Sequence, residues 1–418
     1  MAGLTGPDRP LPESLSSTAA VDRYHDFRDK LAQEGMRPVV LDYVAWRRRV
    51  RAAHAAGLPA PPPPERGPLS INLDLTTACN YACPHCIDWD SLNSPVRHDL
   101  DRLRGSLREL ARRGLRSVIL IGGGEPTLHP AFADTVLFLK DLGLQVAVVT
   151  NGSRNEVIAA VADRLTAGDW VRLSLDAGSD ATFQALHRPR RPLRFEAILA
   201  SATAVKRRNP AVTLGFSFVI TWRGAVGPGA PLVENIGEMA TAAAAARAHG
   251  FDYISFKPFL ERAGDGAEVL DGGAGGRAAA RIRAGLAAAR RHEGGGFRVI
   301  ASTNLRVLLD GSWRDYTRQP RECHMQFLRQ VLSPLGVFNC PAHRGVTKAR
   351  IGGPESWADG AAAAGTAALL DRFDASHECR EVTCLYHPVN HFLEELVAGR
   401  ADPEEALAAR PDRADSFL

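Results

Sequence analysis

The sequence predicts an α/β protein: a partial (β/α)6 barrel of the TIM type followed by a smaller α+β domain. Three observations carry this expectation. Six short β-branched runs alternate with longer helical stretches between residues 69 and 257. The pattern changes at about residue 297, where a hairpin and short helical pieces take over. The cysteines fall into two groups, three on one loop near the start of the alternating region and four beyond residue 320.

The elements follow in order. Residues 1–66 read as an N-terminal extension: a polar tail, a helical stretch over 21–56, and a connector whose four consecutive prolines, Pro61 to Pro64, favour polyproline II and cannot continue the helix. Strands are expected at 70–75, 117–121, 145–150, 170–175, 213–220 and 252–257, and helices at 99–113, 131–142, 155–166, 194–208 and 234–249. Strand-then-helix order calls for a parallel sheet covered on both faces, built from right-handed βαβ units. In such a barrel the chemistry gathers at the C-terminal ends of the strands, where the βα loops converge. Residues 264–276 read as a mobile glycine-rich loop before a helix at 278–291. The barrel is assigned to 67–300. The smaller domain, 301–418, has a hairpin over 330–339 around Ser333 to Gly336 and helices near 362–373 and 389–398.

Composition narrows the function. Lys+Arg 51 against Asp+Glu 47 gives a net charge of only +4, with the basic residues scattered, so no nucleic-acid partner is expected. No apolar run is long enough to span a membrane, and residues 1–17 lack the pattern of a secretory leader, which predicts a cytoplasmic protein. Seven cysteines, an odd number, fit metal or redox chemistry better than a disulfide framework.

Cys79, Cys83 and Cys86 have Cys-x3-Cys-x2-Cys spacing on the loop after the first strand. Three thiolates on a short loop can hold three irons of a cubane and leave the fourth open to a small molecule. His85 could instead complete a zinc site, although His85 beside three close thiolates makes a cramped tetrahedron. Gly123, Gly124, Glu125 and Pro126 end the second strand: glycines let backbone approach a ligand, and Glu125 could compensate an ammonium. Asn151 ends the third strand, Ser174 and Asp176 the fourth, and Lys257 the sixth; each faces the mouth or caps its loop. Asp88 and Asp90, just past Cys86, could receive an amino group, while Arg188, Arg190 and Arg191 read first as solvated loop charge. Cys323, Cys340, Cys379 and Cys384 could complete a closed cluster or a structural zinc site.

The three-cysteine spacing, with His85 in the aromatic position before the third cysteine, resembles the signature of radical S-adenosylmethionine (radical SAM) enzymes, and Gly123 to Pro126 resembles their GGEP motif. The resemblance implies a [4Fe-4S] cluster on Cys79, Cys83 and Cys86 whose unique iron chelates SAM, with Gly123, Gly124, Glu125 and Pro126 at the SAM amino group and Ser174, Asp176 or Asn151 near SAM or the substrate. The later cysteines resemble a twitch domain, a shortened SPASM module, which implies a second, auxiliary [4Fe-4S] cluster on all four. In this family one electron splits SAM into methionine and a 5′-deoxyadenosyl radical, and the electron donor is a flavodoxin or ferredoxin. Two clusters use every cysteine, so no thiol remains to return a hydrogen atom, which disfavours a cysteine-dependent epimerase. The expected reaction is therefore oxidation of an alcohol on a small sugar or aminocyclitol, as in the twitch-bearing enzymes that tailor aminoglycoside antibiotics. Alternatives are dehydration or epimerisation of an amino sugar, or peptide maturation; Asp88, Asp90, Ser174, Asp176 and Lys257 are the candidate catalytic residues.

Overall fold

The computed structural model describes residues 26–418 except 229, 265 and 414. The polar tail, the first residues of the helix expected over 21–56, and the segment read for a leader all lie outside the described residues. Eight parallel strands form the body of one sheet: β1 (Ser70–Leu73), β2 (Ser117–Leu120), β3 (Gln145–Thr150), β4 (Trp170–Ser174), β5 (Thr213–Ile220), β6 (Tyr253–Pro258), β7 (Arg298–Ala301) and β8 (Arg329–Ser333). Two short antiparallel strands, β9 (Gly336–Phe338) and β10 (Arg350–Gly352), extend it. The order is β7-β6-β5-β4-β3-β2-β1-β8-β9-β10, an open arc. The expected α/β class and all six expected strands are present. Beyond them the sheet gains β7, which pairs in parallel with β6, and β8, which pairs in parallel with β1. One sheet therefore runs through residue 300.

Local rules account for the elements. The helix Leu100–Arg112 is capped by Asp99, which accepts from the backbone N–H groups of Asp101 and Arg102, and buries Leu103, Leu107 and Leu110 at helical spacing. The N-terminal helix is split into Phe27–Leu31 and Arg37–Ala55, with Pro38 in the first turn of the second. Its Trp46 donates to the Pro61 carbonyl at 3.1 Å, fastening the proline connector to the helix, and its Tyr43 ring stacks on Phe327. The hairpin around Ser333 to Gly336 forms as expected.

The glycine-rich insert departs from expectation. Residues 272–276 are not loop but the first turns of the helix Gly272–Arg290, capped by Asp271, which accepts from Gly273 and Ala274. Close packing explains the composition: a Cβ on Gly272 would run into the Trp313 ring, and one on Gly275 would crowd Leu308 and Trp222. The glycines lower helix propensity but permit a contact that no larger residue could make.

The floor of the barrel is closed by residues near the end of the chain. Phe417 meets Trp170 edge-on, with centroids 5.4 Å apart, and packs in a small cluster with Ile119 and Ala147 that is separate from the main core. Lys30 donates to the Phe417 carbonyl at 2.6 Å, and Ser117 Oγ to that of Ser416 at 2.8 Å. No helix of the described residues is long and apolar enough to cross a membrane.

Replacing buried Phe417 by Ala removes the main apolar group of this closure. A loss of about 3 kcal/mol is expected in denaturant unfolding of the full chain.

Candidate active site

The cysteine loop is anchored by its backbone. Ala82 N–H donates to the carbonyls of His187 and Arg188, Arg190 N–H donates to the Asn80 carbonyl, and Tyr81 bridges to Pro189. Tyr81 is buried with its ring edge-on to Phe183, and Cys79 N–H donates to Asn93 Oδ1 at 3.0 Å. The three thiols are thus held over the end of β1, all free. Burial pushes their pKa values up, Cys86 to about 12, and for Cys83 and Cys86 neighbouring thiols push further. Thiolates here need a positive partner.

The loop after β2 fits tightly beside it. Gly123 has φ +64, and a Cβ on Gly124 would collide with the backbone of Thr77 and Ala78. Glu125 N–H donates to the Ala78 carbonyl at 2.8 Å, and Pro126 opens a short 3-10 turn. The glycines therefore do what close approach requires. Glu125, expected as a partner for an ammonium, is buried and already accepts four hydrogen bonds: from Thr127 N and Oγ1, Thr150 Oγ1 and Asn151 N. It ties the β2 and β3 loops together. Asn151 also acts within the protein: its Nδ2 donates to Asn80 Oδ1 at 2.9 Å and its Oδ1 accepts from Ser153 N. Through these bonds both residues fix the cysteine loop.

The mouth of the barrel is polar. Ser174, Ser217 and Ser255 share one register row across β4, β5 and β6. None of their hydroxyls has a hydrogen-bond partner among the described residues. Lys257 lies on the same face of β6 as Ser255. It has no hydrogen bond or ion pair among the described residues, and burial lowers its pKa well below the usual lysine value, helped by Arg172. Arg172, on the Ser174 face of β4, lies over the Trp170 ring, and its Nε is buried without a hydrogen-bond partner. Glu268 stands nearby, its pKa pushed up to about 7 by burial and by Asp88.

Two expected substrate contacts are engaged elsewhere. Asp88 is buried against Arg344, whose Nη1 donates at 2.9 Å, and Arg344 Nε lies 3.2 Å from Asp74. Burial outweighs Arg344 and pushes Asp74 up to about 7. Gly122 makes room for the Arg344 side chain, which any Cβ there would strike. Asp88 is thus unavailable to an amino sugar, while Asp90 is exposed, 3.8 Å from Arg262. Asp176 is buried too: its Oδ1 accepts from Val219 N at 2.6 Å and its Oδ2 faces His85 Nε2 at 3.0 Å. Burial raises its pKa, but hydrogen bonds from His187 and His85 outweigh this and hold it below the usual carboxylate range. Arg188 and Arg190 are exposed.

The four remaining cysteines come together. Cys323, Cys340, Cys379 and Cys384 line one pocket with Arg329, His343 and Tyr386, and His343 Nε2 lies 3.4 Å from Cys379 Sγ. Burial raises all four thiol pKa values, Cys323 to about 11 and Cys340 to about 12, and the sulfurs of Cys340, Cys379 and Cys384 are pushed further by neighbouring thiols. Among the described residues, no three cysteine sulfurs lie within 4.8 Å of one another. A single tetrahedral zinc would draw sulfurs to about 3.8 Å.

Sequence reasoning missed His187, Arg344, Arg172, Ser217 and Ser255. The serines and Arg172 were reachable from strand alternation once Ser174 was placed. His187 and Arg344 reach the site from distant segments, and no local spacing marks them.

Fold and site together define a class: a partial barrel with a three-thiol loop after its first strand and a close-packed glycine loop after its second. Residues 73–221 match the family model of the Radical SAM superfamily. An S-adenosylmethionine-dependent nucleotide dehydratase of Selenomonas ruminantium is 30% identical over 160 residues, 36% of this chain and 56% of that protein. The mycofactocin maturase MftC of Mycobacterium tuberculosis (strain ATCC 25618 / H37Rv) is 35% identical over 120 residues, 28% and 30% of the two chains. The chain thus spans about half or less of these curated relatives. SuiB of Streptococcus suis bound to S-adenosylmethionine shares the fold, with TM-score 0.52 and 15% identity over 83% of this chain and 77% of that one.

Arg344→Ala leaves Asp74 in the interior without its cation and Asp88 with only Arg262, 3.8 Å away. A stability loss of about 3 kcal/mol or more is expected in denaturant unfolding.

Proposed function

We propose that this chain is a radical SAM enzyme with two [4Fe-4S] clusters, on Cys79, Cys83 and Cys86 and on Cys323, Cys340, Cys379 and Cys384. We further propose that it oxidises an alcohol on a small substrate, a sugar or cyclitol, that carries an acidic group. The observation that carries the reading is the pair of thiol sets, three free cysteines on one loop after β1 and four lining a single pocket, each set a cradle of the kind that holds a cluster. When bound, the first cluster and SAM supply a 5′-deoxyadenosyl radical that takes a hydrogen atom from the substrate.

The chain supplies the surroundings. Gly123 and Gly124 hold backbone close to the cysteine loop, and Glu125 and Asn151 keep that loop in place. The row of Ser174, Ser217 and Ser255 offers hydroxyls to a polyhydroxylated ligand, and the Phe417 closure keeps water from the floor. Lys257 and Arg172, two cations without ion pairs among the described residues, support an acidic substrate. The engagement of Asp88 by Arg344 withdraws support from a purely cationic amino sugar. The four-thiol set has no ligand position to spare, which suits an electron acceptor for the oxidation more than a substrate-binding site. A flavodoxin or ferredoxin would supply the reducing electron. Dehydration is the second reading, favoured by the nucleotide dehydratase relative, whose name indicates an acidic substrate that the same cations would suit.

Anaerobic reconstitution is expected to load about eight irons per chain, and Cys323→Ala about half of them. Reduced protein given SAM should release 5′-deoxyadenosine, and a colourless zinc protein inert to SAM would refute the proposal. With acidic sugars, cyclitols and nucleotides as candidates, Lys257→Met should raise KM about 10- to 100-fold for the true substrate. A ketone product identifies oxidation, and loss of water identifies dehydration.

A further inference from the structure

His187 is the residue outside the cysteine motif that lies closest to its chemistry. It closes the helix Asp180–His187, is 2% exposed, and its ring is boxed by Phe183, Tyr81 and His85 at centroid distances of 5.0, 5.9 and 5.3 Å. Its Nδ1 lies 3.4 Å from Cys83 Sγ and its Nε2 3.4 Å from Asp176 Oδ2. Its carbonyl also faces Cys83 Sγ, at 3.5 Å.

Asp176 is placed with unusual care for a loop residue. Its φ is +51, a left-handed conformation that is uncommon outside glycine, asparagine and aspartate. Val219 N–H holds its Oδ1, and Asn235 Nδ2 holds its backbone carbonyl at 2.8 Å. The other carboxylate oxygen, Oδ2, receives both His85 and His187. Ligand atoms of these three residues lie within 4.8 Å of one another, close enough to suggest a two-histidine, one-carboxylate metal site. Both imidazoles converge on the same oxygen, however, and His187 turns its other nitrogen towards sulfur. The group is a chain of close polar contacts that ends on Cys83.

We propose that His187, oriented by Asp176, is a positioning residue that sets the reduction potential of the cluster held by Cys79, Cys83 and Cys86. The inference rests on the cluster reading above. Reduction adds negative charge to the cluster, and His187 with its proton on Nδ1 would aim an N–H at a ligand sulfur and stabilise that charge, so its removal would make the cluster harder to reduce. The arrangement spends no substrate contact on this: Asp176 reaches the reaction through His187 and not by touching a ligand.

The test uses the full chain, reconstituted anaerobically, with the midpoint potential of the SAM-responsive cluster read by EPR-monitored titration beside iron and sulfide content. His187→Leu is expected to keep its iron and to show a lower potential. His187→Gln, which restores an N–H, should recover at least half of the shift, and Asp176→Asn should show a smaller shift of the same sign. An unchanged potential in His187→Leu overturns the proposal, as does loss of the cluster from both His187 variants, which would make the residue a purely structural support. A divalent ion other than cluster iron that disappears in Asp176→Asn also overturns it, in favour of a mononuclear site. Absence of iron and sulfide from the unaltered chain would instead refute the two-cluster reading on which the inference rests.

Discussion

A thiol surrounded by protein does not ionise on its own, and this chain buries or half-buries all seven of its cysteines. Burial raises each of their pKa values, and in most of them the sulfurs of the same set add to the effect. As neutral thiols they are at ease in the interior, and only a positive centre sharing the space would draw them into the thiolate form. Much of the surrounding architecture holds the sulfurs in this condition. Backbone pairing of 80–82 with 187–190 fixes the first loop, and a pocket from three separate segments assembles the second.

The barrel was legible in the sequence because each strand is a short β-branched run between clear turn signals, and burial on both faces leaves little freedom of register. The first cysteine set was legible because its ligands share one loop. What escaped is what depends on distant approach. The glycines at 272–276 look like a loop by propensity, yet they form the first turns of a helix in which the Trp313 ring occupies the space a side chain on Gly272 would fill. β7 is only four residues long, and its identity as a strand comes from pairing with β6. Phe417 lies nearly 250 residues from Trp170, and nothing local marks either as a partner of the other.

The polar residues near the cysteines show the same division. Residue type and strand position correctly brought Asp88, Glu125, Asn151 and Asp176 into the neighbourhood of the site, but their roles depend on partners. Arg344 takes Asp88, the β3 loop takes Glu125, Asn80 takes Asn151, and two histidines take Asp176. Several residues that looked like ligand contacts are engaged within the protein, while the side chains of Ser174, Lys257, Ser217 and Ser255 have no hydrogen-bond partner among the described residues.

The Arg344 contact has a consequence for how such proteins can diversify. The arginine follows Cys340 by four residues, yet the charges it balances belong to β1 and to the turn just beyond Cys86. A C-terminal segment transplanted from another protein would therefore have to bring its own guanidinium to the same spot or arrive with Asp74 and Asp88 already neutralised. Recombination between lineages at this junction is constrained by electroneutrality as much as by shape, and the two halves of the chain should be inherited together.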